Sequence, residues 1–153
     1  MTNILQELYK HKSLRPLQYL IILCWILIGC ESPKSSITNS DLHQAWQSAQ
    51  RDGKPIFIDF YTDWCRPCKV MDREVYSQQE IGNYLGAHYH AVKFNPEQIQ
   101  KVEAFGETFA FDDGLGVNTF IYYATQNQFR GYPTAVILSS EGDLLWFHTG
   151  YLK

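Results

Sequence analysis

The chain has 153 residues, enough for one ordinary domain with its own core and too few for two. With 19% charged and 15% aromatic side chains it is the sequence of a folded globule, not of a disordered tail. A formal net charge of −3 leaves no basic footprint for nucleic acid.

In chain order, the first segment is a targeting signal. Lys10, His11, Lys12 and Arg15 precede an unbroken apolar run from Tyr19 to Ile28. The run falls short of the ~20 residues a membrane span needs and suits a signal-peptide core. It closes on Leu27-Ile28-Gly29-Cys30, which resembles a bacterial lipobox, whose cysteine is diacylated and becomes residue one after cleavage. An uncleaved anchor and a plain signal peptide are the alternatives. The small Gly29 before a cysteine, with a polar stretch straight after, favours the lipoprotein. The expected layout is a signal peptide over 1–29, lipid on Cys30, a polar tether over 30–39 and a folded domain over 40–153.

Asn39 or Ser40 can cap a helix whose apolar positions Leu42, Ala45, Trp46 and Ala49 recur at helical spacing, with Gly53 as its stop. Ile56 to Tyr61 reads as a buried strand with one odd occupant, Asp59. After it, Cys68, Met71 and Val75 carry a helical stripe, and Ser77 to Glu80 has the pattern of a capping box opening a second helical piece. Tyr89 to Phe94 is the next strand, completing a βαβ unit. Val102 to Phe111 suits a small hairpin turning at Gly106-Glu107, and Val117, Phe120, Ile121 and Ala124 mark a further helix. Thr134 to Leu138 and Leu144 to Thr149 are strands joined by a tight turn at Glu141-Gly142-Asp143.

Of the four cysteines, Cys24 leaves with the signal and Cys30 is consumed by lipid. Cys65 and Cys68 remain, in a compartment where disulfides persist. Two cysteines three apart cannot staple distant parts of a fold, but they suit a reactive pair. They stand where a strand gives way to a helix, so the first sulfur meets unpaired N–H groups and the positive end of the helix dipole. That setting favours the thiolate, which is the form that attacks a disulfide. Arg66 adds positive charge beside Cys65, Cys68 can resolve a mixed disulfide, and Pro67 stiffens the first turn. A redox-silent pair or half of a zinc site are the alternatives, the latter drawing on His88 and His90 on one strand face. The flanking Trp64 and Pro67 have no role in either, so no metal is expected. Asp59, among Ile56, Phe57, Ile58 and Phe60, should titrate high when buried without a cation.

Three marks together carry a family resemblance: Trp64-Cys65-x-Pro67-Cys68-Lys69, Asp59 six residues before the first cysteine, and Gly131-Tyr132-Pro133-Thr134. Over roughly residues 40–153 the chain resembles the thioredoxin superfamily. Lys54 to Lys69 is most similar to the C-terminal thioredoxin domain of membrane thiol–disulfide interchange reductases. The resemblance implies an α/β thioredoxin fold, a central mixed sheet flanked by helices. It implies catalytic roles for Cys65, Cys68, Asp59 and Lys93, with Asp59 under the pair as proton shuttle for Cys68. Lys93 matches the family lysine that approaches this carboxylate; an ordinary solvated strand-end lysine is the alternative.

The resemblance also implies a cis bond before Pro133, so that Tyr132 offers its backbone to a substrate strand. Trp64, Arg66, Pro67, Tyr132 and Pro133 are then the substrate-binding set, although Trp64 and Tyr132 suit a plain core equally well. Two departures stand out. Residues 96–116 exceed a minimal thioredoxin and resemble a hairpin insert of some thioredoxin-like lipoproteins. After Tyr151-Leu152-Lys153 the family's terminal helix is missing, and its face of the sheet needs other cover.

The expected activity is a lipid-anchored, extracytoplasmic protein thiol–disulfide oxidoreductase of the bacterial envelope, a monomer acting on protein disulfides. It uses no cofactor beyond the Cys65–Cys68 disulfide, and takes electrons from a membrane donor protein. Alternatives are a disulfide-forming oxidant, towards which Arg66 argues, a thiol reductase dedicated to cytochrome c maturation, and a non-enzymatic binding module.

Overall fold

The computed structural model describes Ile37 and residues 41–152. The stretch read as a signal peptide, the expected lipidation position Cys30 and most of the expected tether lie outside the described residues. Helix α1, Leu42–Asp52, is capped by Asp41, whose Oδ1 accepts the N–H of Gln44 at 3.0 Å; the expected caps Asn39 and Ser40 lie outside the described residues. Gly53 ends it in the left-handed conformation at φ 73°, donating its N–H to the carbonyl of Ala49. Strand β1, Ile56–Phe60, is buried along its whole length, as a central strand covered on both faces must be.

Helix α2, Arg66–Met71, continues into a π-helical segment, Asp72–Tyr76, before α3, Gln79–His88. The expected capping box does not form. Ser77 is still helical and its hydroxyl donates to the carbonyl of Arg73, so it is engaged with the preceding turn, and Gln78 takes the N-cap position without capping the helix, its side-chain amide donating back to the carbonyl of Glu74. Strand β2, His90–Phe94, runs parallel to β1.

The stretch read as a hairpin insert is larger than a hairpin. Strands β3, Lys101–Ala104, and β4, Glu107–Asp112, turn through Phe105 and Gly106, both at positive φ, and β5, Val117–Asn118, adds a third strand. Val117 therefore belongs to a strand and not to the helix that follows, α4, Phe120–Ala124. Asn118 fixes this junction. It is fully buried, donates from Nδ2 to the carbonyls of Ile99 and Phe109, and accepts the N–H of Phe120 at 3.0 Å. Strands β6, Thr134–Leu138, and β7, Leu144–Thr149, complete a four-stranded mixed sheet in the order β2-β1-β6-β7.

Alternation along β1 divides the core. Ile56, Ile58 and Phe60 face α1 and α4, together with Val92 and Phe94. Phe105 and Phe109 of the insert pack on the same side, the latter 5.1 Å from Phe120 between ring centroids. The insert is thus part of the core. The turn between β6 and β7 docks against it: a Cβ on Gly142, at φ 99°, would lie 2.8 Å from Phe105 Cδ1. Gly142→Ala is accordingly expected to lower stability by about 2–4 kcal/mol in urea unfolding, from backbone strain and overpacking together.

The other face holds Phe57, Met71, Tyr76, Leu85 and Ala135. Residues 150–152 after β7 are not helical, and Tyr151 and Leu152 pack onto this side. So does Ile37, which is 3% exposed. The polar-tether reading of 30–39 is corrected at that position: an isoleucine in a serine- and threonine-rich stretch is worth burying wherever the sheet leaves a gap.

Candidate active site

The connection leaving β1 carries the cysteines. Cys65 is the N-cap of α2, with extended backbone at φ −69° and ψ 98°, and its Sγ accepts the N–H of Cys68 at 3.2 Å. Cys65 and Cys68 are joined as a disulfide, their Cα atoms 5.4 Å apart, and both are buried. Arg66 and Pro67 follow at the first two helical positions, exposed, with Pro67 where a missing N–H costs nothing. Once reduced, a Cys65 thiolate in this position receives the Cys68 N–H, the positive end of the helix and the field of Arg66.

The face of β1 that α2 covers holds a charged cluster. Asp59 is 1% exposed there, and the parallel register sets Lys93 of β2 directly beside it. Lys93 Nζ lies 3.4 Å from Asp59 Oδ2 and also pairs with Asp72 Oδ1, so one cation serves two carboxylates. Its side chain is 13% exposed, which removes the solvated-lysine alternative. The same ammonium stands 4.6 Å from the centre of the Tyr61 ring, a cation–π contact. Tyr76 Oη donates to Asp59 Oδ1 at 3.5 Å. Burial outweighs the attraction of Lys93, and with the negative charge of Asp72 it pushes the Asp59 carboxyl from 3.8 up to about 6.

The third part is the rim. The Tyr132–Pro133 peptide bond is cis. Trp64 is 68% exposed, so it is no core residue; its ring meets that of Tyr132 edge-on at 5.8 Å, and Tyr132 in turn packs on Phe129. Trp64 Nε1 donates to Glu97 Oε2 at 2.8 Å, and Gln98 Nε2 donates to Asp63 Oδ2, so the start of the insert is bonded to the residues just before Cys65.

A thioredoxin-like family model matches residues 37–139. The chain belongs to the thioredoxin-like family. Among curated relatives, the thiol:disulfide interchange protein DsbD of Salmonella typhimurium is 30% identical over 95 residues, covering 60% of this chain and 15% of that protein. DsbD 1 of Pseudomonas aeruginosa is 36% identical over 77 residues, 45% of this chain and 13% of that one. The chain thus spans about a seventh of the length of the curated relatives it matches. Among solved structures, a DsbH oxidoreductase superposes with a TM-score of 0.54 at 20% identity, covering 82% of this chain and 81% of that one. The oxidised C-terminal domain of DsbD from Neisseria meningitidis gives 0.50 at 18% identity, covering 72% and 80%. These two likenesses show the thioredoxin fold.

Within the thioredoxin-like frame, sequence reasoning overlooked Asp72 and Glu97. Asp72 lies four residues after Cys68, one helical turn on, where an acidic residue reads as solvated surface. Glu97 lies in the loop after β2, and only the tertiary fold brings it to Trp64. The zinc alternative does not assemble: His88 closes α3 while His90 opens β2, and His90 Nε2 faces Asp52 Oδ1 at 3.0 Å. Among the described residues no three His, Cys, Asp or Glu side chains group as a metal site.

Proposed function

We propose that this thioredoxin-like chain is a protein thiol–disulfide oxidoreductase that reduces substrate disulfides through a Cys65/Cys68 dithiol cycle. The observation that carries the reading is the N-cap position of Cys65, with its sulfur on the Cys68 N–H, in a fold that also buries the Asp59 carboxyl and pushes it up to about 6. Cys65 thiolate attacks one sulfur of the substrate disulfide. An S–S bond forms between Cys65 and the substrate, and the other substrate sulfur leaves as a thiolate. Cys68 then gives its proton to the Asp59 carboxylate and attacks Cys65 Sγ. The second substrate sulfur departs as a thiolate, the proton staying on Asp59, and two electrons have passed to the substrate while the pair has become a disulfide. A second dithiol protein returns the electrons. Trp64, Arg66, Pro67, Tyr132 and Pro133 line the approach, with the Tyr132 backbone as the docking edge, by likeness to the family.

Cys30 carries the lipid in this reading, the domain faces the outside of the cytoplasmic membrane, and the electron donor is an integral-membrane protein. Among the described residues no helix is long and apolar enough to cross a membrane. Arg66 beside Cys65 favours a second reading, an oxidant, because a stabilised thiolate makes the disulfide more oxidising. Equilibration of the pair against glutathione decides. A potential near about −270 mV is expected and fits a reductase; one near about −120 mV makes the protein a donor of disulfides.

A further inference from the structure

The π-helical segment Asp72–Tyr76 has no part in the cycle above, yet both of its ends serve one buried carboxyl. Widened turns of this kind are rare, and many lie at functional sites. Asp72 acts through Lys93, the ammonium that stands 3.4 Å from Asp59 Oδ2. Tyr76 acts directly, its hydroxyl 3.5 Å from Asp59 Oδ1. The two oxygens of Asp59 therefore face different donors, a cation shared with Asp72 and a neutral phenol. Tyr76 is 2% exposed, and its ring meets that of Phe57 edge-on at 6.1 Å. Phenylalanine would make that ring contact equally well, so the hydroxyl is what tyrosine adds. Burial, with the charges of Asp59 and Asp72, holds the phenol well above the usual tyrosine range, and it stays a donor across neutral pH.

We propose that Tyr76 is a positioning residue for Asp59, its hydroxyl a donor that tightens when the carboxyl ionises and slackens when it is protonated. A spacing of 3.5 Å is at the outer edge for an O–H···O bond, and a carboxylate draws such a donor closer than a neutral acid does. The hydroxyl thus stabilises the charged form against the burial that opposes it. Asp59 must be charged to take the Cys68 proton, and Lys93 brings it only part of one positive charge. The ionisable groups set against this carboxyl are Lys93 from β2, Asp72 and Tyr76 from the π-helical segment and, in the proposed cycle, the Cys68 thiol from α2. Tyr61 meets Lys93 through its ring. The catalytic consequence rests on the oxidoreductase reading, whereas the contact and its dependence on charge do not.

The test is Tyr76→Phe in the detergent-solubilised full chain, a change that keeps the ring packed on Phe57 and removes the donor alone. Isotope-labelled aspartate is titrated by NMR, the Asp59 signal being the one that Asp59→Asn removes. Its midpoint is expected to rise by about one pH unit, the worth of one hydrogen bond to a charged group at the low end of its range. The folded midpoint then lies further above the unfolded one, so the stability lost to Tyr76→Phe in urea grows from about pH 4 to about pH 8. In the Asp59→Asn background that growth is absent. The bend in the rate of mixed-disulfide release moves up with the midpoint, while the attack by Cys65 keeps its rate. An unmoved midpoint, or equal losses of stability at the two ends of the pH range, overturns the proposal and leaves Tyr76 as packing. A natural chain that turns over no insulin disulfide defeats the oxidoreductase reading, and the midpoint and the unfolding still decide on Tyr76.

Discussion

Cys65→Ser is expected to reduce disulfide exchange to the uncatalysed level, whereas Cys68→Ala is expected to halt it one step later, as a covalent adduct. The difference follows from their positions. Only Cys65 has its sulfur at the helix start, on the Cys68 N–H, and a serine hydroxyl there stays protonated and cannot form the mixed disulfide. With Cys68 gone the first attack still proceeds, but nothing expels the substrate. Neither change should unfold the protein, because a disulfide closing so short a loop removes little entropy from the unfolded chain. The check is a non-reducing gel of proteins recovered with each variant. Adducts with many proteins from Cys68→Ala indicate a general reductase, and a single adduct indicates a dedicated one. Turnover retained by Cys65→Ser would mean that the pair is incidental.

Asp59→Asn should make the protein more stable and slower. The unfolded chain ionises this carboxyl near 3.8 and the native protein near 6. Between those values the unfolded state loses its proton first, so native stability falls as pH rises through that window and levels off above it. The accumulated loss at neutral pH is about 3 kcal/mol, at 1.36 kcal/mol per unit. Asparagine stays neutral and escapes it, less whatever is lost when Lys93 keeps Asp72 alone. A gain of about 1–3 kcal/mol is therefore expected at pH 7, vanishing below pH ~4. Release of the mixed disulfide should slow by about 10²-fold, since Cys68 has lost its base, and the bend in rate near pH 6 should disappear. An Asp59→Asn protein less stable than the natural one at pH 7 would refute this account.

Most of the scaffold was legible because its patterns are long and repeated. The stripe Leu42, Ala45, Ala49 and the run Ile56 to Phe60 each point to one periodicity, and the β6–β7 pair is bracketed by its turn. What escaped was short or non-local. Val117–Asn118 is a strand only because β4 lies beside it, and two residues carry no period. Ile37 is a single apolar residue in a polar stretch, and nothing local says that the sheet has room for it. The site divides the same way. The cysteines and Asp59 announce themselves by spacing and by an apolar setting. Asp72 looks like any exposed helical acid until Lys93 arrives from another strand, and Glu97 acquires its role through the fold alone.

The burial of Ile37 sets a reach. Should Cys30 sit in the bilayer by its lipid, seven peptide steps separate it from Ile37, the first of the described residues and one buried in the core. Seven residues stretch to about 25 Å at most. A leash of that length keeps the domain skimming the membrane and denies it the depth of the surrounding compartment. Encounters then become a search in a thin layer, where a membrane-embedded donor is met at high effective concentration and a freely diffusing client must come to the surface to be served.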